Sequence, residues 1–262
     1  MSRFTIGSDP EFFLKKGEEV IPSLGLFGGT KENPKPVPQL GDGFFVQEDN
    51  VAVEFNIPAC KSKEEFVDSI LNIVNNSNLI MPKGVELFVA SSYNFKAEQL
   101  DHPLLKEFGC SPDFNAWTYL DNPSPSCSDE TLRSCGGHVA VGNKEFDNFQ
   151  FARALDITLG VPSVFLDNDT KRRELYGAAG AFRHTPFGIE YRSLSNFWTK
   201  TKETISFVYE GVERALDILT EAEGYIPEEY GGIVQEAMNM GDISAANAIC
   251  KEFNIKHHKA LI

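Results

Sequence analysis

The sequence predicts an α+β protein, built from an antiparallel or mixed sheet with helices packed on one face. Two observations support this fold class. Up to about residue 200, short apolar or alternating segments recur between stretches rich in glycine and proline, which is typical of β-strands joined by loops. Beyond that point, apolar residues return every three or four positions, the spacing of amphipathic helices.

The chain has 262 residues, and neither a linker nor an internal repeat divides it. We therefore predict a single domain over residues 1–262, whose helical part covers about 200–262. Hydrophobic residues make up 42% and charged residues 24%, an ordinary globular composition. The net charge of −14 disfavours binding to nucleic acids and to anionic membranes. The composition does not indicate an oligomeric state.

The sequence also predicts a cytoplasmic location. No apolar run approaches the roughly 18–20 residues of a membrane-spanning helix. The first residues lack the apolar segment of a signal peptide. The five cysteines form no C-x-x-C pair, so we expect reduced thiols, and Cys135 is interpreted as a packed thiol rather than a nucleophile.

The first elements are predicted as strands and loops. Residues 3–6 and 10–15 form short apolar stretches around a turn at Gly7 and Ser8. The glycine- and proline-rich segment 22–43 is a long loop and a candidate lid. An alternating strand follows from Val51 to Ile57.

A helix begins after Ser62, with acids in its first turn and a buried stripe of apolar residues: Phe66, Ile70, Ile73 and Val74. Residues 85–92 are predicted as a strand and 95–130 as irregular structure. Strands are also predicted at 136–141 and 188–194, with a polar stretch over 164–187. The remaining predictions are a helix over 146–159 that ends at Gly160, and two helices over about 200–222 and about 230–252.

Four of these strands place polar residues on the face opposite their apolar one, because alternate residues of a strand share a face. The polar residues so placed are Asp9, Glu11, Glu54, His138, Glu190 and Arg192. A solvated sheet face explains any one strand but not all four, since small residues rather than lysines accompany the acids. Clustered carboxylates predict bound Mg²⁺ or Mn²⁺. Further cations could then neutralise phosphates: Lys31, Lys35, Arg133, Arg183 and Arg192.

Other constellations are weaker. The sequence lacks a P-loop, a dinucleotide-binding glycine motif, a zinc-protease motif and a nucleophile elbow. The segment from Gly28 to Lys31 is interpreted as a turn. The histidines at 102, 257 and 258 stand in polar contexts and are interpreted as surface residues.

The chain resembles the phage-encoded type 2 amidoligases in five motifs: GSDPEFFL, QEDNVAVEFNIPA, FGCSPDFNAW, LRSCGGHVAVG and YGAAGAFRHTPFGIEYRSLSNFW. These are carboxylate–amine ligases related to glutamine synthetase and glutamate–cysteine ligase. The resemblance runs from Gly7 to about Trp198. It implies a curved antiparallel sheet of the glutamine synthetase catalytic type, with helices on its outer face and two C-terminal helices.

The resemblance also implies a reaction and its cofactors. ATP would phosphorylate a carboxylate, and an amine would displace the phosphate to form an amide, with two or three divalent ions on the concave face. The partners would be small-molecule or peptide substrates in an infected bacterial host. No residue identifies either substrate or the base that deprotonates the amine, for which Glu48, Asp49 and Asp156 are open candidates.

Matching positions give the expected roles. The implied metal ligands are Asp9, Glu11, Glu54, His138 and Glu190, with Asp9 one methylene shorter than the usual glutamate. The implied catalytic residues are His138, Arg183 and Arg192. The expected ATP contacts are Lys31, Arg133, Arg183 and Arg192. Two alternatives stay open: a guanidino kinase-like phosphotransferase on the same fold, and a non-catalytic phage protein that retains the fold.

Overall fold

A computed structural model describes residues 3–106, 113–123 and 128–256. The predicted α+β class is confirmed, because helices pack on one face of a ten-stranded sheet whose pairings among these residues are all antiparallel. The strands are β1 (Thr5–Lys16), β2 (Glu19–Ile21), β3 (Lys35–Pro36), β4 (Phe45–Asp49), β5 (Ala52–Asn56), β6 (Val85–Phe88), β7 (Ser92–Asn94), β8 (Phe114–Asn115), β9 (Leu132–Ser134), β10 (Gly137–Gly142), β11 (Ala181–Thr185) and β12 (Gly188–Tyr191). The helices are α1 (Lys63–Asn76), α2 (Pro103–Lys106), α3 (Asn148–Leu155), α4 (Val161–Ser163), α5 (Lys171–Leu175), α6 (Lys202–Glu221), α7 (Gly231–Met240) and α8 (Ile243–Glu252).

The main sheet has the strand order β3-β4-β5-β1-β10-β12-β11-β8. Strands β2 and β6 pair with the second half of β1, and β7 and β9 form a separate two-stranded sheet. Strand β1 is therefore the centre of the fold, since its first half pairs with β10, its middle with β5 and its last four residues with β2 and β6.

The predicted turn at Gly7 and Ser8 is wrong, because β1 runs without interruption. Gly7 pairs with Ala140 and Ser8 with Val139 in the ladder to β10. The Ser8 hydroxyl also donates to the carbonyl oxygen of His138 at 2.6 Å. Both turn-favouring residues thus take extended conformations, in which the neighbouring strand satisfies their polar groups.

The apolar face of the sheet packs against α1, α3 and α6. Helix α1 begins where predicted, and the Ser62 hydroxyl caps it by accepting from the Glu65 N–H at 3.2 Å. Phe66 of this helix stacks on Trp198 with ring centroids 5.7 Å apart. Val74 is only half-buried. This packing leaves the other face of the central strands to the polar residues.

Other strand predictions need correction. The predicted strand 85–92 is two strands, β6 and β7, which belong to different sheets. The predicted strand 188–194 ends at Tyr191 as β12. It pairs with β11, which lies inside the stretch interpreted as merely polar. The strand was missed because β11 contains several polar side chains, although its first two residues, Ala181 and Phe182, are buried. Strand β4 was not predicted either.

The helix predicted over 146–159 does not end at Gly160. It passes from α3 through a π-helical turn, Asp156–Gly160, directly into α4. A side chain at Gly160 would place its Cβ 2.3 Å from the Met238 Cε and 2.6 Å from the Tyr191 hydroxyl. The glycine therefore permits close packing instead of ending the helix. Pro162, which has no backbone N–H to donate, lies in α4 just after this π-helical turn.

The helix predicted over about 230–252 is divided into α7 and α8 at Gly241, whose φ of 69° is left-handed. Three helices, rather than two, thus end the described chain. None of the helices in the described ranges is long and apolar enough to cross a membrane. The described cysteines, Cys60, Cys135 and Cys250, are buried free thiols. His102 is exposed, whereas His257 and His258 lie outside the described residues.

Candidate active site

The polar face of the central strands lines a cavity of about 510 Å³. The register of β1 with β5 and β10 brings the acids of this cavity together. Glu11 of β1 pairs with Glu54 of β5, and Asp9 pairs with His138 of β10. The lining residues are Asp9, Glu11, Lys31, Pro34, Phe45, Gln47, Asp49, Glu54, Asn56, His138, Arg183, Glu190 and Arg192. The cavity thus contains every metal ligand, catalytic residue and ATP contact that the resemblance implies except Arg133, and it also lacks Lys35.

The acids and His138 fall into two triads. Asp9, His138 and Glu190 form the first, and Glu11, Asp49 and Glu54 form the second. Within each triad, one possible ligand atom per residue lies within 4.8 Å of the others. His138 links the triads. Its Nδ1 lies 3.5 Å from Asp9 Oδ2 and 3.7 Å from Glu190 Oε1, and its Nε2 lies 4.0 Å from Glu11 Oε1.

Burial among like charges raises the pKa values of these acids. Desolvation raises the pKa of Asp9 to about 6, although Arg192 opposes the shift. Burial also raises the pKa values of Glu11 and Asp49. The pKa of Glu54 is raised well above its usual range by burial and then by Asp9, Glu11 and Asp49. Without a cation, several of these carboxyls are costly to ionise.

The same effects hold the imidazole neutral. Burial, followed by the charge of Arg192, lowers the pKa of His138 to about 3. Carboxylate oxygens are the ligands that Mg²⁺ and Mn²⁺ prefer, and the neutral imidazole offers a nitrogen lone pair beside them. The residues present therefore fit the divalent metals that the resemblance implies.

Two arginines border the first triad. Arg192 donates from Nε to Asp113 Oδ2 at 3.3 Å and from Nη1 to Glu190 Oε1. Arg183 Nη1 lies 3.8 Å from the same Glu190 oxygen. The side chain of Arg192 is 7% exposed and that of Arg183 is 18% exposed. Water therefore screens their ion pairs less than it screens pairs on the surface. Planar guanidinium groups in this position can pair with phosphoryl oxygens.

The loop over residues 22–43 reaches the cavity through Lys31 and Pro34. Glu48 holds this loop by accepting from the N–H groups of Gly25, Phe27 and Gly28 at 2.6–2.8 Å. Lys35, expected near the phosphates, instead donates from Nζ to the carbonyl oxygen of Phe27 at 3.1 Å. Glu48 thus shapes the loop and does not line the cavity.

Arg133, expected to contact phosphate or substrate, does not line the cavity. It lies on β9 in the separate two-stranded sheet and is 5% exposed. Its guanidinium donates to the backbone carbonyl oxygens of Leu105, Glu130 and Leu132 at 2.7–3.1 Å. The residue stabilises the backbone around β9 instead.

Asp49 is the one of the three open candidates for the amine base that lines the cavity. Asp156 lies on the opposite face of the sheet, where it accepts from Trp117 Nε1 at 2.6 Å and from the Tyr191 hydroxyl at 2.7 Å. Sequence reasoning missed Gln47 as a lining residue and Asp113 as the partner of Arg192. The alternation of Gln47 and Asp49 in β4 was a usable signal, whereas nothing local marks Asp113.

Among comparisons with known proteins, a family profile covers two of the five motifs, LRSCGGHVAVG and YGAAGAFRHTPFGIEYRSLSNFW. None of the curated proteins matches the chain significantly. A solved structure described as that of a novel glutamine synthase homolog is 11% identical, with a TM-score of 0.32, and covers 96% of this chain and 67% of that chain. Residues 131–210 match the sequence profile of the family described as phage phiEco32-like COOH.NH2 ligase-type 2. The matched residues include His138, Arg183, Glu190 and Arg192 of the cavity, and over this segment the match confirms the resemblance to the type 2 carboxylate–amine ligases.

Proposed function

We propose that the protein is an ATP-dependent ligase that joins a carboxylate to an amine through an acyl phosphate, using Mg²⁺ or Mn²⁺. Its substrate would be a peptide, a protein or a cell-wall component in the cytoplasm of an infected bacterium. One observation carries the proposal: two acid triads lie side by side in one cavity, with Arg183 and Arg192 beside them. The family profile over residues 131–210 supports it.

The two triads would hold the divalent ions. Asp9, His138 and Glu190 form one ligand set, and Glu11, Asp49 and Glu54 form the other. When bound, such ions neutralise the negative charge of the ATP phosphates.

The arginines would act on the transferred phosphoryl group. In the first step a carboxylate oxygen of the substrate attacks the γ-phosphorus, the bond to the β–γ bridging oxygen breaks, and ADP leaves. Arg192, oriented by Asp113 and Glu190, and Arg183 would stabilise the charge on the γ-phosphoryl oxygens. In the second step the amine nitrogen attacks the acyl carbon, the bond to the phosphate oxygen breaks, and phosphate and a proton are released.

An isotope experiment tests this reaction. The purified protein is incubated with ATP, Mg²⁺ and pools of amino acids and peptides whose carboxyl groups carry ¹⁸O. A ligase that forms an acyl phosphate transfers one ¹⁸O atom to the released phosphate, and its product has lost one water. A phosphorylated product without free phosphate would show the phosphotransferase. No ATP consumption with any pool would favour the non-catalytic alternative.

A further inference from the structure

A buried arginine behind the cavity contacts the backbone of the site. Arg172 belongs to α5 and is 2% exposed. It does not line the cavity. Its Nη1 donates to the carbonyl oxygen of Ser193, and its Nη2 donates to that of Arg192, both at 3.2 Å. These two carbonyls directly follow β12, which carries Glu190.

Two glycines shape the space around this guanidinium. A Cβ at Gly177 would lie 1.9 Å from Arg172 Nη1. The φ of Gly177, +76°, is left-handed, which favours glycine there. A Cβ at Gly136 would lie 3.0 Å from Arg172 Nη2 and 2.5 Å from His138 Nε2. The N–H of Gly136 donates to Glu11 Oε2 at 2.5 Å. Arg172 thus packs against the backbone that holds Glu11 and His138 as well as the backbone of Arg192.

This arrangement is costly for stability alone. The charges of Glu11 and Asp167 act on Arg172 and oppose the effect of its burial, whereas its buried Nε has no hydrogen-bond partner. Burying such a charge is unfavourable, and a buried ion must recover that cost from its contacts. A lysine would supply the same charge from a single nitrogen, whereas the planar guanidinium reaches these two successive carbonyls from two nitrogens held at a fixed spacing.

We propose that Arg172 is a positioning residue, which fixes the backbone of Arg192 and Ser193 so that the Arg192 guanidinium meets the transferred phosphoryl group. The inference rests on the proposed function for its catalytic consequence. Its structural part, the bracing of this backbone, stands on the hydrogen bonds and the glycine contacts alone.

The neighbouring Arg173 is a matched control. It is also buried, at 8% exposure, and it donates to the carbonyl oxygen of Met238 at 2.9 Å and to the Ser163 hydroxyl at 3.3 Å. Those partners lie on α7 and α4, away from the cavity. Arg172→Lys and Arg173→Lys therefore remove the same fork from two buried sites that differ in what they contact.

The experiment compares the two variants with the wild-type protein below their melting temperatures. We expect Arg172→Lys to lower kcat for ATP turnover by about tenfold or more, since small misplacements of catalytic groups have effects of this size, while KM for ATP changes little. We expect Arg173→Lys to keep the wild-type kcat although its melting temperature falls. An unchanged kcat in Arg172→Lys, or an equal loss in both variants, would overturn the inference.

Hydrogen exchange separates this inference from the proposed function. The amide of Arg192 donates to Ala181, and that of Gly137 donates to Leu194, so both amides report on the braced backbone. We expect these two amides to exchange faster in Arg172→Lys than in Arg173→Lys. If the wild-type protein turns over no ATP, the proposed function fails and the exchange result alone decides the bracing role. If Arg172→Lys does not fold, Arg172→Gln, which keeps one donor group, replaces it.

Discussion

Arg192 meets Asp113 through Nε and Glu190 through Nη1, while its Nη1 also lies 3.3 Å from His138 Nδ1. A lysine keeps the charge but not this geometry. We therefore expect Arg192→Lys to lower ATP turnover by ~10²-fold or more, the scale of losing a charge contact in the transition state. Turnover assays check this loss. In thermal melts, we expect Arg192→Lys to keep a melting temperature close to that of the wild-type protein.

Arg214→Lys is the control for this substitution. Arg214, a partly exposed residue of α6, pairs with the exposed Glu221 at 2.9 Å and donates to the Phe253 carbonyl oxygen at 3.3 Å, and exposed pairs are worth about 0–1 kcal/mol. It should change neither turnover nor melting temperature. Full activity in Arg192→Lys would remove Arg192 from the reaction.

Glu54 lies 8% exposed among other acids, and its pKa is raised well above the usual range. Because the folded protein favours the protonated carboxyl, ionised Glu54 destabilises it, and this cost grows as the pH rises above the ordinary pKa. Glu54→Gln should therefore raise the melting temperature of the metal-free protein at pH 8 and have little effect near pH 4. Glu86→Gln, at an exposed acid of β6, should leave the melting temperature unchanged at both pH values. A lower melting temperature for Glu54→Gln at pH 8 would contradict this account.

The period of a strand was enough to assign the faces of Asp9, Glu11, Glu54, Glu190 and Arg192, because alternation is a local property. It could not identify Asp113, which reaches Arg192 from a segment 79 positions away. It also misplaced Arg133, since nothing in the residues around β9 shows that this strand pairs with β7 and not with the main sheet. Contacts set by distant chain segments are thus what the sequence pattern leaves open.

Tyr191 lies between Glu190 and Arg192 on β12 but faces the helices, as the strand pattern predicted. Its side chain is fully buried, and its hydroxyl donates to Asp156. Tyr191→Ala should cost roughly 3–5 kcal/mol of unfolding free energy, as other buried aromatics do. Tyr191→Phe, which loses only the hydroxyl, should cost about 1–3 kcal/mol. Denaturant unfolding measures both, and a cost for the alanine variant no larger than for the phenylalanine variant would show that the ring is not packed.

Asp156 begins the π-helical turn, and burial raises its pKa to about 7 even though Tyr191 and Trp117 donate to it. A folded pKa above the ordinary 3.8 means that this group favours folding below about pH 4 and that its contribution is lost as the pH rises to about 7. The loss is at most about 1.4 kcal/mol per pH unit. Asp156→Asn should therefore gain stability relative to the wild-type protein between pH 5 and pH 8, as parallel urea titrations at the two pH values would show. A relative stability independent of pH would contradict the shift.

The same region shows why element boundaries were harder to predict than element types. Helix α1 was predicted because its cap and its apolar stripe are local signals. Gly160 was misread as a helix end because its neighbours Met238 and Tyr191 come from distant segments. Strand β11 was missed because Arg183 and His184 made it look like a polar loop, although pairing with β12 decides its structure.

The whole chain carries a net charge of −14, to which the acids of the cavity contribute. Binding to DNA or RNA depends on neutralising backbone phosphates, and a strongly acidic protein repels them. We therefore expect no retention of DNA or RNA at physiological salt. Filter binding over a range of salt concentrations checks this, and micromolar, salt-sensitive retention would reveal a basic face that the described residues do not explain.

The clustering of acids in the cavity should make the stability of the folded protein depend on divalent ions. A ligand that binds only the folded state at 100 times its Kd adds about 2.7 kcal/mol. For a protein of this size that corresponds to a rise of about 5–10 °C in melting temperature. We expect Mn²⁺ to produce such a rise, and EDTA to reverse it, at an ionic strength held constant with NaCl.

Two substitutions show whether the ion acts at the triads. Glu11→Gln removes a carboxylate from the second triad, so the rise with Mn²⁺ should shrink, whereas Glu86→Gln should keep it in full. Because a neutral glutamine also relieves repulsion among the remaining acids, the metal-free Glu11→Gln protein should itself melt no lower than the wild-type protein. A higher melting temperature of metal-free Glu11→Gln, together with a smaller rise on adding Mn²⁺, would indicate that the acids repel one another until a cation binds among them. An equal rise in all three proteins would place the ion elsewhere on the acidic surface.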